Sequence, residues 1–297
     1  MSTALVVGSA NADLVYSVTN FPQPGETISS LAFNIFAGGK GANQAVACAR
    51  SGANVEFCAC LGQDNFGDYL TTSIQTNNVG LKNTNRVPEP TGSAVIFVNQ
   101  LGENQIVLNP GANHALTSNH VANAISESNP DFILVQLEIP LATVEAVLKS
   151  KDKTILNPAP FCDLSSLDLN CLFTITPNES ECAALTGITP DSELTTKAAA
   201  QKLVVMGIQN AVITLGKRGC YWTNGAEECF ITPPQVTPVD TTGAGDVFNG
   251  ALVARLLAKD DFPTALKFAV TAASISTTRH GALQSAPTLQ EIKNHLT

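Results

Sequence analysis

The stretch VDTTGAGDVFNGAL, residues 239–252, puts a carboxylate where a bound anion would sit. Gly243 and Gly245 bracket Ala244, Asp246 follows at once, and Val247, Phe248, Ala251, Leu252 and Leu256 then recur at helical spacing. Glycines ahead of a helix make room for a negative ligand, because the unpaired N–H groups of the first turn point at it. An aspartate at that place has two readings. It caps the helix, as Asp commonly does, or it takes a proton from an attacking group while the backbone holds the group under attack. A glycine turn that opens a helix also belongs to a strand–helix fold, in which ligands bind where strands end.

The chain on either side has that alternation. From about residue 116, strands FILVQLE (132–138), TILNPA (154–159), LFTITPN (172–178) and NAVITLG (210–216) alternate with helical stretches near 142–149, 180–186 and 195–207. Earlier, ALVVG (4–8) and NVEFCACLG (54–62) read as strands, and 42–53 and 64–79 as helices, the first rich in small residues that permit close packing. The pattern predicts an α/β fold: a central, mostly parallel sheet flanked by helices on both faces. Two segments, about 14–36 and 91–110, lack helical period. The second reads as a hairpin around Gly102-Glu103-Asn104. Together they predict a small β-sheet lid inserted into one domain spanning 1–297, with edges that need pairing or cover.

Composition narrows the function. Hydrophobic residues are 44% and charged residues 14% of 297, enough for a large core. A net charge of −9 argues against nucleic acid as partner. Among eight cysteines, 48, 58, 60, 162, 171, 182, 220 and 229, there is no C-x-x-C spacing. Cys58 and Cys60 read as reduced core residues, which suits the cytoplasm. The N-terminus MSTALVVGSANAD lacks a basic segment and a long apolar run, so neither signal peptide nor membrane span is expected. The histidines carry no site pattern, and His114, His120 and His295 read as surface or loop residues.

Known motifs fail first. GGKGAN holds Gly41 where a P-loop needs Ser or Thr, and Phe248 stands where a dinucleotide fingerprint needs its third glycine. What remains is a set of polar residues just past predicted strands: Asn11, Asp13, Glu138, Asn157, Asn178, Glu181 and Gly216. Asn11 and Asp13, two apart, face the same way in extended chain and suit a pair of vicinal hydroxyls, or they make an Asx turn. In FAGGKGANQAV (36–46) the glycines let the backbone approach a ligand faced by Lys40 and Asn43, or they mark a tight turn with a solvated lysine. Asn178 and Glu181, one helical turn apart, suit hydrated Mg²⁺ or ordinary capping. TLGKRGCYW (214–222) offers a backbone shelf with Lys217 or Arg218 as cation, or a hairpin turn. Their convergence on one end of the sheet favours an enzyme site.

GSANAD, GGKGANQAVACAR, LNPAP, TPNESE, TLGKRG and DTTGAGDVFNGAL, in this order over nearly the whole chain, resemble the ribokinase family of carbohydrate kinases. The resemblance implies ATP-dependent phosphorylation of D-ribose at its 5-hydroxyl. By the same resemblance Asp246 is the base, and Gly243, Ala244 and Gly245 form the anion hole. Asn11, Asp13, Gly39, Lys40, Gly41, Ala42, Asn43 and Glu138 would contact the sugar. Asn178 and Thr214, Leu215, Gly216, Lys217, Arg218 and Gly219 would hold the nucleotide together with Gly245 and Asp246, and Glu181 would support Mg²⁺ through water. A K⁺ site would draw on Asp240, Thr242, Ser276, Arg279, Gly281 and Ser285, through the Asp240 carboxylate and mostly backbone oxygens. A homodimer through the lid is implied as well. Val270 departs from the family, which often has asparagine there near the adenine. Kinases for deoxyribose, a ketohexose or a nucleoside are alternatives, and a non-catalytic sugar-binding regulator is a more distant one.

Overall fold

The structure is a computed structural model and describes residues 2–150, 153–170 and 172–296. In chain order its elements are β1 (Thr3–Val7), β2 (Asn11–Ser17), β3 (Ala32–Gly38), α1 (Lys40–Arg50), β4 (Asn54–Gly62), α2 (Asn65–Gln75), β5 (Thr84–Val87), β6 (Gly92–Val98), β7 (Asn104–Asn109) and α3 (Ser118–Ser128). They continue with β8 (Phe132–Val135), α4 (Leu141–Leu148), β9 (Thr154–Leu156), β10 (Thr174–Ile175), α5 (Glu179–Thr186), α6 (Glu193–Val205), β11 (Asn210–Thr214), β12 (Cys220–Thr223), β13 (Glu228–Ile231), α7 (Ala244–Leu257), α8 (Phe262–Ser276) and α9 (Leu289–Leu296). Among the described residues, nine strands form one sheet in the order β13-β12-β11-β10-β9-β8-β1-β4-β5, and four form a second in the order β3-β2-β6-β7. From β5 to β11 the large sheet is parallel, and β12 and β13 close it as antiparallel strands. This is the α/β architecture expected from the alternation.

The central strands explain why the sheet is covered twice. In β1, Ala4 and Val6 enter one core while Leu5 and Val7 enter the other, and all four are fully buried. In β8, Phe132 and Leu134 are divided from Ile133 and Val135 in the same way. A strand buried on both faces has no polar side, so its sequence reads as a continuous apolar run. Residues of α1, α7 and α8 fill the first core, and residues of α3, α4 and α6 the second. The small residues of α1 do allow a close crossing. A Cβ added at Gly250 in α7 would lie 2.5 Å from the Gln44 carbonyl oxygen and 2.7 Å from the Ala47 Cβ.

Some elements had no sequence signal. SNHVANAISES forms α3 although only Val121 and Ala124 are buried. Its start is fixed by a reciprocal cap between Thr117 and His120. TNRV becomes β5 because β4 offers it a free edge, from Ala59↔Thr84 to Gly62↔Val87. Cys58 and Cys60 are buried and unpaired on one face of β4, as expected; Cys171 lies outside the described residues. Among the described residues no helix is long and apolar enough to cross a membrane.

The small sheet joins both predicted extended segments: β2 runs parallel to β6, and β3 and β7 flank them antiparallel. The β6–β7 hairpin turns at Gly102, whose φ of 78° a side chain would strain. Phe33, Ile35, Ile106, Val107 and Leu108 lie exposed on its two outer strands.

Candidate active site

The connection from β1 to β2 and the turn before α1 meet at the end of the large sheet. Gly39 adopts φ 86° at the cap of α1, and a Cβ there would come within 2.7 Å of Ala10 Cα. One added at Gly41 would lie 2.5 Å from Ser9 N. Both glycines are therefore required by backbone contact, and the same contact brings α1 against the start of β2. Asn11 and Asp13 are extended and paired with Gly38 and Phe36, so the Asx-turn reading is excluded and both side chains share a face. Asn113 Nδ2 donates to Asn11 Oδ1 at 2.7 Å, and Glu138 Oε2 accepts from Ser9 Oγ at 2.5 Å and from Lys40 N at 3.1 Å.

Asp246 is not the cap of α7. Gly243, at φ 74°, holds that place, and Asp246 is the third helical residue, only 5% exposed. Its Oδ2 accepts from Asn43 Nδ2 at 3.0 Å and its Oδ1 from Gln44 Nε2 at 2.9 Å. Asn43 Oδ1 is buried with no partner in the protein. The Ala244 amide turns back to Thr241 O at 3.3 Å, so Gly245 and Asp246 supply the first-turn amides that have no carbonyl of their own helix to reach. A Cβ added at Gly245 would meet open space, so nothing in the protein's own packing requires a glycine there. That cradle and the helix N-terminus suit a phosphoryl group.

The charges are unbalanced. Lys40 lies among Asp246, Glu138 and Glu181, and Asp246 first of all raises its pKa. Asp13 is pushed up to about 7, by burial first and then by the charges of Glu138 and Asp246. Glu181, 7% exposed, is also raised, chiefly by burial.

The remaining sites divide. Asn178 and Glu181 form the reciprocal cap of α5, with Asn178 N donating to Glu181 Oε2 at 2.8 Å and Glu181 N to Asn178 Oδ1 at 2.9 Å. The capping reading thus holds for the backbone, while Glu181 still feels Lys40 and Asp246. Residues 214–219 make the hairpin turn into β12, with Gly216 at φ 52° and Gly219 at φ 87°. Arg218 pairs with Glu179 at 2.7 Å and donates to the carbonyls of Pro190 and Asp191. Lys217, like Arg218, is exposed on that turn. Asp240 accepts from the Thr242 and Gly281 amides, each at 2.9 Å. Burial opposes those bonds, yet its pKa is held below the ordinary value. Arg279 N donates to Ser276 O, and its guanidinium leaves for Glu291 at 2.5 Å. Ser285 Oγ is spent on Ala282 O. Val270 packs in the first core. Sequence reasoning passed over Gln44, Gln136, Asn113 and Ser9, all buried polar residues. Gln136 directly after FILV was the available signal.

A model of the pfkB family carbohydrate kinases matches residues 1–289. The chain is similar to a ribokinase of Haemophilus influenzae, 41% identical over 295 residues that cover 97% of this chain and 96% of that one. It is 34% identical to a deoxyribokinase of Salmonella typhi, covering 98% and 97%. A solved Arabidopsis thaliana ribokinase, complexed with ribose and ATP, superposes with a TM-score of 0.91 at 30% identity, covering 100% and 99%.

Asp13 makes the site's electrostatics measurable. Its folded pKa lies above the ordinary aspartate value of 3.8, so its contribution to stability is full below that value and is lost as pH rises through about 7. The unfolding free energy of the wild type, minus that of Asp13→Asn, should fall between pH 4 and 8 by up to about 1.4 kcal/mol per pH unit. Urea titrations at four pH values measure it; a flat difference would show Asp13 charged throughout.

Proposed function

Because the chain belongs to the pfkB family of carbohydrate kinases, we propose that it transfers the terminal phosphoryl group of ATP to the 5-hydroxyl of D-ribose. The observation that carries this reading is the buried Asp246 carboxylate beside the open Gly245 cradle at one helix start. Asp246 accepts the proton of the attacking hydroxyl, worth about 10²–10⁴ in rate. The amides of Gly245 and Asp246 receive charge that develops on the phosphoryl oxygens, and each such donor is worth about 3–4 kcal/mol in the transition state. Both tasks belong at one place, since phosphoryl transfer depends mainly on positioning and electrostatics.

Asn11, Asp13, Lys40, Asn43 and Glu138, with the 39–42 backbone, orient the sugar. Asp13 and Asn11 suit its 2- and 3-hydroxyls, and Asn43 Oδ1 supplies a free acceptor. Asn178 and the 214–219 turn, with Lys217 as its cation, hold the nucleotide. Among the described residues no cluster of three or more His, Cys, Asp or Glu side chains is placed to bind a metal. Mg²⁺, which keeps most of its waters, would be held beside Glu181 and would offset triphosphate charge. K⁺ would lie by the loops of Asp240, Thr242, Ser276, Arg279, Gly281 and Ser285, reached by the Asp240 carboxylate, which the Thr242 and Gly281 amides hold in place, and mostly by backbone oxygens. The small sheet would act as a lid over the sugar and, through its exposed apolar strands, pair with a second copy. A cytoplasmic location fits its substrates.

Similarity to a deoxyribokinase favours one second reading, the same transfer to 2-deoxyribose. An acceptor panel with ADP detection separates the two: kcat/KM should be highest for ribose, and a higher value for deoxyribose would reassign the substrate. Asp246→Asn should lower kcat by at least about 10²-fold with its melting curve intact; near-full turnover would make Asp246 a structural residue. Replacing Na⁺ by K⁺ at equal ionic strength should raise the rate, and equal rates would remove the monovalent site. Sedimentation should give a dimer that Val107→Lys dissociates; a wild-type monomer at micromolar concentration would refute pairing through the sheet.

A further inference from the structure

Gln44 is fully buried and lies behind Asp246. Its Nε2 donates to Asp246 Oδ1 at 2.9 Å and to Asn157 Oδ1 at 3.0 Å, and its Oε1 accepts from Gln136 Nε2 at 2.5 Å. A primary amide has two donor hydrogens and one acceptor oxygen, and here each is used. Only one orientation satisfies all three bonds, because the flipped amide would set its oxygen against a carboxylate. The Asp246 carboxylate selects that orientation, and Gln136 Nε2 donates to the oxygen turned away from it. Gln136 is in turn confined: a Cβ at Gly8 would lie 2.0 Å from its Oε1. That Oε1 is itself buried without a partner, so packing and this single bond hold the side chain. Asn157 extends the network to Thr176 O at 3.3 Å, and Thr176 Oγ1 reaches Asn249 Oδ1 at 2.7 Å. Asn249 Nδ2 closes the path on Gly245 O at 2.8 Å. One chain of amides therefore ties the carboxylate and the glycine cradle to the ends of the strands.

We propose that Gln44, its amide braced by Gln136 and Asn157, is the positioning residue that fixes the plane of the Asp246 carboxylate toward the acceptor hydroxyl. The proposal rests on Asp246 being the base. A neutral donor suits the task. It restrains the carboxylate through one hydrogen bond, whereas a cation in contact would strongly favour the ionised form and weaken its capacity to take a proton.

The test compares Gln44→Met, Gln44→Glu and Gln136→Met, each in the wild-type and Asp246→Asn backgrounds. It reads kcat, KM for ribose, ribose affinity by calorimetry, and the melting temperature. Gln44→Met removes the donor at similar volume and should lower kcat about 10–100-fold, the scale of a misplaced reacting group. KM and ribose affinity should stay within about threefold, because Gln44 acts through Asp246 and not on the sugar. Gln44→Glu keeps the acceptor for Gln136 but loses the donor, so it should not rescue kcat. Gln136→Met should lose less, and the double variant should be no worse than Gln44→Met alone. In the Asp246→Asn background none of these changes should lower the residual rate further. The proposal is overturned if folded Gln44→Met keeps near-full kcat, or if the same fractional loss appears in both backgrounds, which marks a general structural effect. If Gln44→Met does not fold, Gln136→Met decides alone: a kcat loss confined to the Asp246 background supports the assignment, and no loss refutes it. Full turnover by Asp246→Asn itself would refute the base, and the positioning role with it.

Discussion

The close crossing of α1 and α7 is the constraint on which the site depends. Gly250 lets the two helices touch, with Gln44 O and Ala47 Cβ where its side chain would be. At that separation, two consecutive residues of α1 reach the two oxygens of one carboxylate in the first turn of α7. A buried carboxylate without partners would cost several kcal/mol or take up a proton. The amides of Asn43 and Gln44 answer that need without adding charge. The helix packing and the state of Asp246 are thus one problem, solved by the same contact.

The charge distribution follows from it. Asp246, Glu138 and Glu181 all act on Lys40, and Glu138 and Asp246 act on Asp13. Burial and mutual repulsion push the excess onto Asp13, the carboxyl on the small sheet. A polyhydroxyl ligand suits such a carboxyl, because each hydroxyl both donates and accepts. Strain of this kind is stored in binding sites and relieved by the ligand. Lys40 is meanwhile kept cationic by the Asp246 charge, so the acidic chain still presents local positive charge.

The fold was largely legible because a parallel sheet buried on both faces leaves unmixed apolar runs, as in ALVV and FILV. Elements defined by context were not legible. TNRV became a strand because β4 had an edge to offer, and α3 because a capped turn met an apolar face. At the site, the glycines and carboxylates could be found as motifs at strand ends. Gln44 and Asn113 could not, because their role is to orient another side chain, and that requires knowing which helix lies across from which. Whether Asp246 caps its helix could not be read from the motif either: α7 starts at Ala244, Gly243 holds the cap, and Asp246 lies buried at the third position.

The other strand ends show that a structural and a ligand-directed role need not compete. Asn178 and Glu181 satisfy each other's backbone amides, which is what a helix start needs. A side chain locked by such a bond has lost its conformational freedom before any ligand arrives, and the entropy of ordering it is not charged to binding. The same holds for Arg218. Its guanidinium, tied to Glu179 and two carbonyls, holds the 216–219 turn against the start of α5. Two backbone segments that end different strands are thereby fixed relative to each other. A sheet that brings several capped helix starts and tight turns to one edge offers rigid amides and immobilised carboxylates there, and chemistry that depends on positioning requires little more of the fold.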